Sequence, residues 1–433
     1  MNYRLPSSVG LALCTLLAGL NCHAAEDWPH WRGLQRNGHV DEPSGWNGGE
    51  WPQRPAAWRA KFGAGGSGPI VIGKRLYTMG WENDQDHVYC VDVESGEVLW
   101  TSSYPCPNYG RHSEGDKGLY SGPSSCPSFD TATSYLFTLS ADGDLNCWDT
   151  ATGGKRVWGI NFHEKYRVPQ RPRVGRRLLR DYGYTSAPLV VGDLVIVEVG
   201  SEQGNLMAFS SKTGQRQWAS QSTDPAGHTG GAVPILVDGL PCVVVLTIRN
   251  LLVVRIDPGH EGETLGEFPW VTDFANNIAA PTVFNNSVII TSEYNQYSIA
   301  RVDITRQGAK QVWKKPYASG VSSPIVHKGY IYWCWRAVYC LDFETGKPMW
   351  RGGRNFGDAA SCIATADDRL IIWGRRGDLI LAETAERSPK KYTELSRQDQ
   401  ILKNDVWPHV VLAGGKLFCK DRDGNMICFQ VRP

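Results

Sequence analysis

The phrase VYCVDVESGEVLW at 88–100 returns as LNCWDTATGGKRVW at 145–158 and as VYCLDFETGKPMW at 338–350. A chain that repeats itself at intervals of tens of residues is committed to a repeat architecture. A further copy, LMAFSSKTGQRQW, carries Ala208 where the others carry Cys90, Cys147 and Cys340, and the last copy has Cys428 there. Cys therefore stands in for a small buried residue at this place. Each copy is preceded by a turn that opens a new β-rich run, and the openings fall at Pro69, Pro127, Pro188, Pro234, Pro281, Pro324, Cys362 and Pro408. Between opening and phrase lie a strand, a polar tip and a returning strand, as in LFTLS-ADGD-LNCWD. Alternating β-branched and aromatic residues bounded by Gly, Asp and Asn are hairpin signals. No amphipathic helix of ordinary length is legible.

Eight such units predict an all-β, eight-bladed β-propeller of four-stranded antiparallel blades over 56–433. The two ends of the chain supply a separate test. Trp313 precedes Pro324 by 11 residues and Trp58 precedes Pro69 by 11, so Trp58 marks an outer strand whose inner strands have not yet been written. Cys90 and Cys340 each lie 10 residues before a Trp, whereas Cys428 is followed by only five residues. The N-terminal strand is thus expected to complete the last blade, which leaves no open sheet edge. Within each phrase Asp and Gly make the tight turn, and the Trp after them is expected to wedge between neighbouring blades. Trp58, Trp100, Trp158, Trp218, Trp313 and Trp350 occupy that place, each contributing about 2–3 kcal/mol where well buried. Blades four and seven depart from the pattern, with Phe268 and Tyr392 near the expected position.

Residues 1–25 carry Arg4, an apolar run from Val9 to Leu20 and a small-residue exit, the layout of a cleaved secretory signal. Periplasmic or secreted localisation and a monomer are expected. No later segment is apolar enough to span a bilayer, and neither Cys14 nor Cys22 follows a lipid-attachment box. Losing Arg4 takes the formal net charge from +1 to zero, which excludes a general nucleic-acid binder. The chain has 12 Cys, two of them in the leader. Cys106 and Cys126 flank a polar loop and are the candidate disulfide. The Trp/Gly/Pro-rich extension at 26–55 has no partner strand in the count of eight blades. It reads either as packing against the propeller or as a channel plug with Arg32 reaching inward.

CVDVESGEVLW, AFSSKTGQRQW and CLDFETGKPMW resemble the Ala-x-Asp-x-x-x-Gly-x-x-x-Trp repeat of pyrroloquinoline-quinone-like (PQQ-like) propellers, and the resemblance covers 56–433. It specifies fold more than function. In the quinone-dependent dehydrogenases of that family, adjacent cysteines and a Trp sandwich the quinone while Glu, Asn and Asp hold calcium. No two Cys are adjacent in this chain. The BamB-like branch is non-catalytic and works through loops on one face. The expectation is an exported binding or scaffolding module for an envelope protein or an anionic or carbohydrate ligand, with no cofactor. The alternative is a PQQ- and calcium-dependent alcohol or sugar dehydrogenase.

Loops carry chemistry in such folds, so sites are sought where the outer-to-inner connections and the hairpin tips emerge together. The connection at 163–183 holds seven Lys or Arg, among them Arg171, Arg173, Arg176 and Arg177, and Arg249, Arg336, Arg375 and Arg376 lie at hairpin tips. They read as a basic sector for anions or as a solvated charged surface. Glu82, Asp84, Asp86, Asp142 and Asp144 would make the same face two-toned. His228 and Asn277 precede inner strands and either enter the channel or serve as turn residues. DRDGN at 421–425 is ordinary turn chemistry and lacks the downstream Glu of a calcium loop, so no metal site is expected.

Overall fold

The computed structural model describes residues 27–108, 122–170, 173–174, 178–179, 182–354 and 356–432. The expected leader and Arg171, Arg176 and Arg177 lie outside the described residues.

Blade one shows the common plan, with an inner strand Ile70–Ile72, two long middle strands Arg75–Glu82 and Gln85–Asp92, and an outer strand Val98–Pro105, all antiparallel. Eight such sheets are present. Blades two to seven begin at Ser128, Leu189, Val233, Thr282, Ile325 and Ser361, and blade eight at Val411. The middle strands are packed on both faces by neighbouring blades, and their sequences are correspondingly near-continuous apolar runs. Val243–Leu246 and Leu251–Val254 of blade four are wholly buried. Outer strands face water on one side and alternate, as in Val98–Pro105.

Closure follows the predicted pairing. The strand Ala56–Lys61 runs antiparallel to Asn425–Gln430, with Trp58 opposite Cys428. A second tie crosses the same seam: the buried Lys420 ammonium donates to Ser67 O, Thr78 Oγ1 and Met79 O at 2.7–3.1 Å. Lys420 belongs to blade eight, Thr78 and Met79 to blade one, and Ser67 to the connection between them.

The Gly of each phrase has a packing reason as well as a conformational one. Trp58 lies on Gly96, Trp100 on Gly154, Trp158 on Gly214 and Trp313 on Gly346, each Trp reaching the turn of the next blade, where a Cβ would approach the ring to 2.5–2.9 Å. The indoles of Trp58, Trp158, Trp313 and Trp350 also donate to carbonyl oxygens of the following blade at 2.9–3.1 Å. Tyr392 differs from its expected role. It lies in the turn before the outer strand of blade seven, packed on Gly352 and beside Trp350 at 5.9 Å between ring centroids. Having no Gly there, blade seven receives the preceding Trp with a tyrosine instead.

The extension occupies the channel. Trp28 pairs with Val71 of blade one, and His39–Val40 adds a parallel strand to Ala364–Thr365 of blade seven. Glu42 then caps the Gly414 and Gly415 amides of blade eight, both at 2.8 Å. Between these anchors Arg32 donates to Thr282 Oγ1 and Pro324 O in blades five and six. Arg36 donates to Ser128 Oγ, Ala187 O, Pro188 O and Ala232 O around blades two to four. A segment that touches blades on opposite sides of a ring lies on its axis.

Cys106 and Cys126 are free thiols, not a disulfide. They pack in separate places: Cys106 sits in the core between blades one and two near Asp142, whereas Cys126 lies beside Trp31 in the channel and accepts from the Gly68 amide. Their sulfurs are therefore not brought together.

Candidate functional site

All eight outer-to-inner connections end at one mouth of the channel. There they enclose a cavity of about 250 Å³ lined from Gly66, Ser124, Thr185, His228, Ile278, Gly320, Asp358 and Trp407 onward round the ring. Trp31, the apex of the extension, is its floor, clustered with Cys126, Ala187 and Ala280. Trp31 lies directly on Gly230, where any side chain would strike the ring. The extension crosses the channel beneath Trp31, so this end is a blind pocket, and a separate cavity of about 490 Å³ lies on the far side between the extension and blades two to six.

Both carboxylates here are held by identifiable partners. Asp358 accepts the Trp335 indole N–H at 2.7 Å. Glu293 accepts Arg336 at 3.0 Å, and Arg336 lies over the Trp335 ring at 4.2 Å. Burial, with Asp358 nearby, raises the Glu293 carboxyl above its usual range although Arg336 opposes this. His409 stands edge-to-face to Trp31 at 5.4 Å between ring centroids. Burial, and then the Arg32 cation, hold its imidazole neutral, far below its ordinary range. Beneath the floor Arg32 and Arg36 are brought down to about 10 and about 9 by burial. Their acceptors are carbonyls and hydroxyls, and neither has a carboxylate partner among the described residues. A second, polar cavity of about 430 Å³ shares Asp358 and Trp407 with the mouth and runs outward past Arg375, Arg376, Gln400 and Asp405.

The sequence-predicted residues separate into groups. His228 lines the mouth, buried and edge-to-face to Tyr182 at 5.3 Å. Arg336 reaches the mouth through its pairing with Glu293, and Arg375 and Arg376 line the outer cavity. Asn277 does not enter the channel: its amide donates to Thr247 O and Trp270 O and accepts from Ser292, so it is a fully used brace between connection and hairpin. Arg32 points inward below the floor and is walled off from the mouth by Trp31. Arg173 is exposed on a small hairpin, Arg173–Val174 with Leu178–Leu179, whose second strand lies against the turn Asp273–Ala275. A uniform basic sector is not what forms. Arg249 pairs with Asp224 at 3.7 Å, Arg336 with Glu293 and Arg375 with Asp378 at 3.6 Å. The acidic tips also divide, for Glu82 and Asp84 are exposed whereas Asp86 and Asp142 are buried.

Glu293, Asp358, Trp407, His409 and Arg36 escape sequence reasoning. Trp407 and His409 stand within the WPHVV opening and Glu293 at a hairpin tip, so position in the repeat, rather than any motif, was the available signal.

The family model described as outer membrane protein assembly factor BamB matches residues 86–352. Over 158 residues the chain is 26% identical to a quinohemoprotein alcohol dehydrogenase of Pseudomonas putida, a stretch that is 35% of this chain and 18% of that protein. Among solved structures, BamB from Moraxella catarrhalis superposes with a TM-score of 0.58 at 12% identity, over 87% of this chain and 99% of that one. The quinohemoprotein alcohol dehydrogenase of Comamonas testosteroni gives 0.61 at 12% identity, over 97% and 84%. At such identities the structural likeness shows the eight-bladed fold and no more. The family match spans well over half of the chain, which therefore belongs to the PQQ-like propeller family described as outer membrane protein assembly factor BamB.

Proposed function

We propose that the protein is an exported, non-catalytic binding module that takes its ligand at the blind mouth of the channel. The observation that carries this is convergence: eight connections meet over a floor sealed by the chain's own extension. Such a concave site with a few fixed polar groups is the geometry of ligand capture. The BamB relatives favour a binding role, and the leader-like N terminus favours the cell envelope.

The quinone cofactor of the dehydrogenase relatives does not fit the residues present. The mouth offers one cysteine, Cys126, whose thiol burial raises to about 11. Its two carboxylates, Glu293 and Asp358, each have one oxygen taken, by Arg336 and by the Trp335 indole. Among the described residues no three His, Cys, Asp or Glu side chains are grouped to hold a metal. The P. putida match nevertheless makes the dehydrogenase reading the one to test. Purified protein is titrated with pyrroloquinoline quinone and calcium while dye reduction is followed across alcohols and sugars. No turnover is expected, and turnover that disappears in Asp358→Asn would replace this reading with an enzymatic one.

A further inference from the structure

We infer that the mouth is a subsite for one neutral sugar residue, the end of an oligosaccharide whose next residues leave along the outer cavity. This rests on reading the mouth as a ligand site.

Charge narrows the ligand first. Arg32 and Arg36 lie beneath the floor without carboxylate partners, while Glu293 and Asp358 stand in the wall. A cationic ligand moves toward buried cations and an anionic one toward carboxylates, so charge of either sign meets its like at close range. A neutral molecule dense in hydroxyls avoids both penalties, since a hydroxyl donates to a carboxylate and accepts from an N–H.

The hydrogen-bonding groups suit such a molecule. Neither ring nitrogen of His409 bonds to a described residue, and a neutral imidazole presents one donor and one acceptor. Asp358 has one oxygen engaged by Trp335, which orients the carboxylate and leaves acceptor capacity toward the cavity. Ser124 and Ser323 add hydroxyls to the lining.

The apolar surface suits it as well. Trp31 forms the floor and Trp407 the wall shared with the outer cavity. Aromatic rings bury the C–H face of a sugar while its equatorial hydroxyls point to polar neighbours at the edges. The arginine behind Trp31, 5.4 Å from the ring centroid, holds that indole in place. About 250 Å³ leaves room for a single ring. The adjoining cavity opens outward between blades six and eight and gives a bonded second residue somewhere to go.

The test is isothermal titration of the full chain with three neutral trisaccharides, maltotriose, cellotriose and chitotriose, with trigalacturonate and spermidine as charged probes. At least one neutral sugar is expected to bind, weakened at least tenfold in Asp358→Asn and in Trp407→Ala, with circular dichroism showing that both variants remain folded. Absence of binding by all three neutral sugars overturns the assignment, as does binding unchanged in both variants or preference for either charged probe. Quinone and calcium are tested on the same preparation: dye reduction there removes the non-catalytic reading, whereas failure of the sugars alone removes only this assignment.

Discussion

Asp86 is a carboxylate that the fold strips of water. Tyr104 donates to it at 3.1 Å, and Cys106, Asp142 and Asp144 are its other polar neighbours. Burial outweighs the Tyr104 and Cys106 hydrogen bonds and pushes its carboxyl up to about 7 from 3.8. The native state therefore holds the proton more tightly than the unfolded chain between those values. Stability from this group falls as pH rises from 4 to 7, and the loss persists above 7. Asp86→Asn keeps an acceptor for Tyr104 and carries no charge. It should be about 2–4 kcal/mol more stable than the parent at pH 8 and nearly equal to it at pH 4, as urea unfolding at the two pH values will show; an equal difference at both would remove the explanation. Sequence alone places Asp86 on a hairpin beside exposed Glu82 and Asp84. Its burial is set by the neighbouring blade, whose hairpin tip brings Asp142 and Asp144 within electrostatic range of it.

The repeat is the unit of packing, and its most informative pair is a Trp with the Gly of the following blade. Gly214 has φ of +68°, and a Cβ there would meet the Trp158 ring at 2.8 Å. Gly214→Ala is expected to cost about 2 kcal/mol or more, combining left-handed backbone strain with displacement of the indole. A thermal melt unchanged from the parent would show that the Trp does not need that gap. The extension is the other decisive element. Removing residues 27–41 strips two buried tryptophans and the Arg32 and Arg36 donors from the channel while leaving the closing strand Ala56–Lys61 intact. The propeller should still close, less stable by about 4 kcal/mol, at roughly 2 kcal/mol for each indole. The inner-strand amides around Pro188 and Pro324 should also exchange hydrogen faster. Unaltered stability and exchange would mean that the segment only rests on the ring.

For the whole molecule the vulnerable place is the seam between blades eight and one, where the strand at 56–61 and the Lys420 ammonium act together. Burial brings Lys420 down to about 7 from 10.5, with Cys126 and Asp421 opposing. The unfolded chain then binds this proton more strongly, so stability should rise with pH between 7 and 10.5, and the burial cost is at its full value below 7. Lys420→Met should abolish that rise. The wild type is expected to gain up to about 2–3 kcal/mol between pH 7 and pH 9, a gain absent from the variant in guanidinium unfolding at both pH values. Equal gains would assign the rise to other groups.

The number of blades and the strand that closes them were determined by sequence, because hairpin registers and turn chemistry are local and repeat eight times over, whereas the landing of each Trp on the Gly of the next blade was not. The relation of Trp58 to Cys428 also followed by counting, since a missing outer strand at one end matched a spare one at the other. Tertiary structure alone decided what lies on the axis. Arg32 and Arg36 find hydroxyls from blades two and five and backbone carbonyls from blades three, four and six, and a carbonyl acceptor carries no sequence signature. Asn277 is drawn into bracing three backbone oxygens, and Cys106 and Cys126 are placed apart, one between blades one and two and the other in the channel. His409, Asp358 and Trp407 become neighbours because closing a ring brings every connection to a common centre, however far apart its residues lie along the chain.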